Sequence, residues 1–176
     1  QKPQEALPIL LLVSSENETG KSTFFYFLKD LFGANMAVVA NADLHNDFNA
    51  HWASKLIVGC EETFLDKKTV VEKVKGLSTG RKMMKNQKGK DQKEVDVFMK
   101  FFFCSNNERN VLQMSKEDTR YFVVKVPKVK GEKIHDLSDK LKEEIPAFLH
   151  KLKKRKLSVP KKEGRMWFKF ERYATE

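Results

Sequence analysis

SENETGKST, Ser15–Thr23, follows the apolar run Ile9–Val13 and precedes the spaced apolar residues Phe24, Phe27, Leu28, Leu31 and Phe32. An unbroken apolar run that stops at Ser14 and Ser15 reads as a strand buried on both faces. The spacing i, i+3, i+4, i+7 and i+8 reads as one face of a helix, which Gly33 ends. A Gly-Lys-Ser-Thr turn between such a strand and such a helix is where a phosphate-binding loop belongs. The free N–H groups and positive dipole end of the helix start can hold a triphosphate through the amides of Gly20, Lys21, Ser22 and Thr23. The Lys21 ammonium then reaches the outer phosphates, and the Ser22 hydroxyl ligates Mg²⁺. The candidate ATP-binding stretch is therefore Ser15, Glu16, Asn17, Glu18, Thr19, Gly20, Lys21, Ser22 and Thr23. The competing reading is a chance Gly-Lys-Ser in a basic chain, which the flanking strand and helix argue against.

Two residues depart from the usual pattern of such a loop. Gly is usual where this chain has Ser15, and some versions have a further Gly where it has Glu18. Gly serves there because the backbone takes positive φ close to the phosphates, and Glu18 also brings a negative charge near an anion. The departures weigh against fast hydrolysis more than against the fold.

Further apolar runs read as central strands: Met36 to Ala40, Leu56 to Cys60, Phe98 to Cys104, and Tyr121 to Val126 ending at Pro127. Helices are expected between them at Asn46 to Ser54 and Lys67 to Gly76. Strands of this kind, covered by helices on both faces, make a mostly parallel sheet in an α/β fold. After the sheet, Leu137, Leu141 and Ile145 suggest one helix, and Pro146 starts a second carrying Phe148, Leu149 and Leu152. The expected core is 1–156, with 132–156 helical and basic, and 157–176 is expected to be a C-terminal extension or the start of a next region.

A phosphate loop needs a partner strand with acid at its C-terminal end, to hold Mg²⁺ and to polarise the attacking water. KLIVGCEE, Lys55–Glu62, supplies it. Glu61 is assigned to the metal side, directly or through water, and Glu62 to orienting or deprotonating the water. Adjacent carboxylates are also common on solvated surfaces, and here their spacing after the loop favours the catalytic role.

Lys and Arg number 34 against 24 Asp and Glu, a net charge of +10. That surplus favours a polyanionic partner, nucleic acid ahead of an anionic membrane, because the apolar run Leu7 to Val13 is too short to span a bilayer. It follows no initiator Met or basic segment, so it is not expected to be a signal peptide. Cys60 and Cys104 each end an apolar run, which excludes a disulfide framework and suits a reducing, cytoplasmic compartment. The 4 His residues are scattered, so any metal is expected to arrive with the nucleotide.

At FFFCSNN, Phe101–Asn107, an apolar strand ends in Ser105, Asn106 and Asn107. Taken alone, this is an ordinary Asn-Asn turn after a strand. Together with the loop and the acidic strand, it resembles motif C of the superfamily 3 helicases, and the whole looks like the motor of a phage or mobile-element primase-helicase related to the poxvirus type. The resemblance covers about Leu7 to Lys156. It implies a P-loop NTPase with an AAA+-like core, working as a homo-oligomer, a hexameric ring that threads single-stranded DNA, with RNA left open. Asn106 is the residue it places at the γ-phosphate or attacking water, with Asn107 as its neighbour. It also implies a basic DNA-contacting hairpin in KGLSTGRKMMKNQKGKDQKEVDVF, where Lys75, Thr79, Arg81 and Lys82 precede the turn and Lys85, Lys88 and Lys90 lie near it. The polar stretch Lys85 to Lys93 reads independently as an exposed hairpin or loop. In EDTRYFVVKVP, Arg120 corresponds to an arginine finger acting on a neighbouring subunit, with Arg109 second and a salt bridge to Glu117 or Asp118 the plain alternative. The resemblance further implies a helical collar and a primase upstream of the motor in a longer parent chain.

Two rival readings differ in class. One is a module that holds nucleotide and nucleic acid but hydrolyses little, because of Ser15 and Glu18. The other is a small-molecule kinase, which shares the loop and the α/β core but explains neither the Asn-ended strand nor the basic insert.

Overall fold

A computed structural model of the chain describes residues 3, 5–61, 68–107, 120–131 and 134–156. Glu62, Arg109, Glu117, Asp118 and the expected extension 157–176 lie outside the described residues.

The strands are β1 (Ile9–Val13), β2 (Met36–Val39), β3 (Ile57–Cys60), β4 (Lys82–Lys85), β5 (Lys93–Asp96), β6 (Lys100–Ser105) and β7 (Tyr121–Lys125). The helices are α1 (Lys21–Phe32), α2 (Asn41–His45), α3 (Lys68–Thr79) and α4 (Leu137–Lys154). Five strands form one sheet in the order β2-β3-β6-β1-β7, every pair parallel, and β4 and β5 form a separate antiparallel ribbon. This is the α/β class expected from the sequence.

Helices cover both faces because the chain reverses direction across the sheet. It moves from β1 outward to β2, then back through β3 and β6 to β7, and right-handed crossovers place opposite movements on opposite faces. On one face Leu12, Phe102 and Cys104 pack with Phe25 of α1 and Met36. On the other, Leu11, Val13, Val58, Phe101 and Phe103 pack with Leu44 of α2 and Val70, Val71 and Val74 of α3. The alternation in β1 is the period-2 rule applied to a strand buried twice. Phe25 is fully buried, and a side chain of that kind contributes roughly 1.5–3 kcal/mol. Its ring lies so close to β3 that a Cβ on Gly59 would sit 2.7 Å from it. Glycine is required there for helix and sheet to close.

The expected helix over Asn46–Ser54 is not formed. The helix comes earlier, at Asn41–His45, and turns occupy 50–54. Asn46 stops it: its side-chain oxygen accepts the Phe48 N–H at 2.9 Å, an Asx turn that competes with helical bonding. The helix expected to end at Gly76 continues to Thr79. The two helices expected to meet at Pro146 are one, Leu137–Lys154, with the proline inside. Proline removes one N–H and crowds the carbonyl four residues back, a cost lowered here because Lys142 and Pro146 both face solvent, where water can take the freed carbonyl. α4 packs along α1, with Phe27 and Phe148 ring centroids 5.6 Å apart and Lys142 3.8 Å from Asp30. No described helix is long and apolar enough to cross a membrane.

Candidate nucleotide site and basic hairpin

β1 and β6 are neighbours, yet the chain leaves β1 toward β2 and leaves β6 toward β7. Connections that leave adjacent parallel strands in opposite directions across the sheet open a crevice at their C-terminal ends, the usual place for a ligand in such sheets. Both strands stop by the same device. Ser14 accepts the Glu16 N–H on its hydroxyl at 3.1 Å, Ser105 accepts the Asn107 N–H at 3.1 Å, and Ser14 N–H bonds Ser105 O at 3.2 Å. Two hydroxyl turns in register therefore bend the chain off the sheet at one level.

The stretch from Ser15 to Gly20 is irregular and α1 begins at Lys21. Gly20 precedes the helix at φ 81 and ψ 4, the left-handed region that favours glycine. Among described non-glycine residues only Glu18 has positive φ, at 58. The two departures from the usual pattern thus separate: Glu18 occupies a glycine-like conformation, and Ser15 does not. Lys21 is only 7% exposed. Its ammonium donates to Thr19 Oγ1 at 2.9 Å and to Glu16 O at 3.4 Å. Burying an ammonium is costly without compensating partners, so the loop is shaped around this cation.

A cavity of about 280 Å³ opens beside it, lined by Lys21, Ser22, Glu61, Cys104, Ser105 and Asn106. The loop after β1 and the ends of β3 and β6 thus bring together Lys21, Ser22, Glu61 and Asn106 of the Asn pair. Ser22 and Glu61 could hold Mg²⁺ here, and a cation, two hydroxyls, a carboxylate and an amide suit a metal-bound polyphosphate. Glu61 accepts a hydrogen bond from the Tyr26 hydroxyl at 2.8 Å, and this bond and the carboxylate's charge push the exposed Tyr26 phenol up. The Cys104 thiol is pushed up to about 12 by burial and then by the Glu61 charge. It stays neutral and acts as wall, not nucleophile. Cys60 and Cys104 are both buried and neither is in a disulfide, as expected of small core residues.

The stretch around Lys85 to Lys93 is a hairpin tip. Lys85 pairs with Lys93 at its neck, and Lys90 N–H bonds Gln87 O at 3.1 Å across a turn with Gly89 at φ 73. Positive φ at that third turn position calls for glycine. Lys88 and Lys90 are exposed on either side of it, and Lys85 is half-buried. Lys82 sits lower on the ribbon and bonds Glu94 at 2.6 Å, an ion pair that pushes its ammonium up. Of the basic residues proposed for DNA, the tip pair is the most outward.

Sequence reasoning missed Asn49, 94% removed from solvent by the fold at 6% exposure. Its side chain accepts the Asn86 N–H at 2.8 Å and donates to Met84 O at 2.9 Å, while the Asn49 and Ala50 N–H groups both bond Asn86 O. The loop after α2 is thereby bolted to the hairpin neck. Asn46, Asp47 and Asn49 within four positions were the available signal, since these residues favour turns over helix interiors. Tyr26 was missed as well, because the helix periodicity marks it only as solvent-facing.

Arg120 stands at the other end of the sheet. It precedes β7, whose first residue pairs with Ile9, and its carbonyl accepts the Ile9 N–H at 2.7 Å. The length of β1, roughly 16 Å for five residues, separates it from the cavity of its own chain.

Residues 12–120 match a family described as "Family of unknown function (DUF5906)". No curated protein matches the chain. Among solved structures, the apo form of the NrS-1 C-terminal region superposes with TM-score 0.71 at 21% identity, covering 84% of this chain and 36% of that one. The A form of the same region gives TM-score 0.74 at 22% identity, covering 90% and 38%. The likeness at this identity is one of fold, and this chain spans little more than a third of those structures.

Proposed function

The chain belongs to the DUF5906 family, and from that premise and the cavity at the sheet edge we propose that it is an ATP-hydrolysing motor, a helicase or translocase acting on single-stranded DNA in the replication of a phage, plasmid or integrated element. One observation carries the reading. The buried Lys21 ammonium, at the start of the helix that follows β1, faces a cavity shared with Glu61 and Asn106 from the ends of β3 and β6.

In this reading the amides at the start of α1 and the Lys21 ammonium hold the phosphates of ATP. A Mg²⁺ brought by the nucleotide would supply charge neutralisation on the phosphoryl group being transferred. Ser22 and Glu61 hold it, and Tyr26 fixes the orientation of the Glu61 carboxylate. Asn106 hydrogen-bonds the γ-phosphate or the attacking water, and Glu62, the next residue after Glu61, takes the water's proton. Arg120 is too far along the sheet to serve its own chain, so its contribution falls to a neighbouring subunit of a ring. Lys82, Lys85, Lys88 and Lys90 provide the DNA contacts, with the exposed Lys151, Lys153 and Lys154 of α4 as the second basic surface.

The test is calorimetry of Mg-ATP with Lys21→Ala, where affinity should fall at least about tenfold because a charge-assisted contact to phosphate is gone. Unchanged affinity would sink the assignment. A second reading, a nucleotide- and nucleic-acid-binding module with little hydrolysis, is favoured by the positive φ of Glu18. Steady-state ATPase with and without single-stranded DNA separates the two: stimulated turnover supports the motor, and binding without turnover supports the module.

A further inference from the structure

A second cavity, of about 380 Å³, adjoins the phosphate loop on its other side. Four consecutive residues are divided between the two: Lys21 and Ser22 line the polar one, and Gly20 and Thr23 line the second. The remaining walls of the second are apolar, from Phe24 and Phe27 on α1 and from Leu137, Leu141 and Phe148 on α4, with one carboxylate, Glu144. Leu137, Leu141 and Glu144 follow at i, i+4 and i+7, so one face of α4 presents all three.

We propose that this cleft seats the base of the nucleotide whose phosphates the loop holds, and that Glu144 selects a base edge carrying N–H donors, as adenine does. The inference rests on the phosphate-site reading above and adds the base subsite to it. Continuity supports it first. A ligand held by Lys21 and Ser22 crosses into the cleft over Gly20, which has no side chain and where even a Cβ would meet nothing nearer than Val129 at 3.8 Å. Shape and polarity support it next. A nucleobase has apolar faces and a polar edge, and the cleft offers the 42% exposed Phe24 ring and two leucines for the faces. Charge sorts the two ends. An ionised carboxylate only accepts hydrogen bonds, so Glu144 repels phosphate and pairs with the adenine amino group.

The experiment is calorimetry on the full 176-residue chain with Mg²⁺ and three probes: ATP, N6,N6-dimethyl-ATP and tripolyphosphate. ATP should bind about tenfold tighter than the dimethyl analogue, whose amino hydrogens are replaced, the discrimination of one hydrogen bond to a charged group. Glu144→Ala, an exposed helical position, should bring the two within about twofold without weakening tripolyphosphate, which also reports that the variant is folded. If the wild type does not distinguish the two nucleotides, or Glu144→Ala leaves the discrimination intact, the base site is wrong. The phosphate reading survives that result provided tripolyphosphate binds and Lys21→Ala removes the binding. If tripolyphosphate does not bind, or binds without regard to Lys21, the phosphate reading fails and the base site falls with it.

Discussion

The C-terminal edge of the five-stranded sheet and the two-stranded hairpin are held in place by different means. At the sheet edge, Glu61 follows Cys60 at the end of β3, Asn106 follows Ser105 at the end of β6, and Lys21 opens α1 after the loop that leaves Val13, with Val13, Cys60 and Ser105 all buried. Their positions are set by strand register and by packing on both faces. No residue of β4 or β5 is buried, and an isolated two-stranded ribbon is marginal in water. The hairpin owes its place to Met83 against the core and to the Asn49 clamp. The sheet edge should therefore tolerate little change without losing the proposed nucleotide binding, while the hairpin can be loosened or neutralised with that proposed site intact.

Breaking the clamp is the strongest way to sharpen that contrast. Asn49→Ala removes two side-chain hydrogen bonds and leaves a part-buried N–H and C=O without them, a cost of about 2–3 kcal/mol to hairpin docking. The Asn86 amide should exchange its hydrogen faster, and DNA-stimulated turnover should fall while Mg-ATP affinity holds. Unchanged exchange at Asn86 would mean that the backbone bonds from Asn49 and Ala50 suffice.

Neutralising the tip leaves its geometry alone. Replacing Lys85, Lys88 and Lys90 together by Ala should reduce the slope of log affinity for single-stranded DNA against log salt by up to about two units, at roughly 0.7 per phosphate contact released. Between 50 and 200 mM salt that amounts to about tenfold less sensitivity. Basal ATPase should remain. An unaltered slope would return these lysines to the role of solvated surface and move the DNA path to the basic end of α4.

Legibility from sequence followed the same division. The strand–loop–helix opening and the central strands were readable because burial on both faces leaves unbroken apolar runs and α1 leaves a helical period. Glu61 was named as the acid just past such a run, whereas Asn106 was named only through the family resemblance, since an Asn pair after a strand is by itself an ordinary turn. The loop after α2 was misread because Asn46 replaces helical bonding with a side-chain bond, which hydrophobic period does not report. The continuous α4 was misread because whether Pro146 breaks a helix depends on what surrounds the freed carbonyl, and that is tertiary information. Tyr26 and Asn49 act through partners 35 or more positions away, beyond any local pattern.

The smallest expected effect separates backbone from charge inside the phosphate loop, where the sheet edge itself departs from the usual pattern. Glu18 holds φ 58, a conformation costing a non-glycine residue about 1–2 kcal/mol. Glycine relieves that strain but adds freedom to the unfolded chain, so the net gain in stability from Glu18→Gly should stay below about 1 kcal/mol. Removing the carboxylate also lessens repulsion of an incoming polyphosphate, and Mg-ATP affinity should rise by up to about fivefold. Glu18→Ala is the control, because it removes the charge and keeps the β-carbon that makes positive φ costly. If both substitutions raise affinity equally, charge is the cause. If only Gly does, the backbone is. A fall in affinity and turnover with both would mean that the Glu18 carboxylate contributes to the loop or the metal. The departure from glycine would then be a feature of this site, and the weak-hydrolysis reading would lose its support.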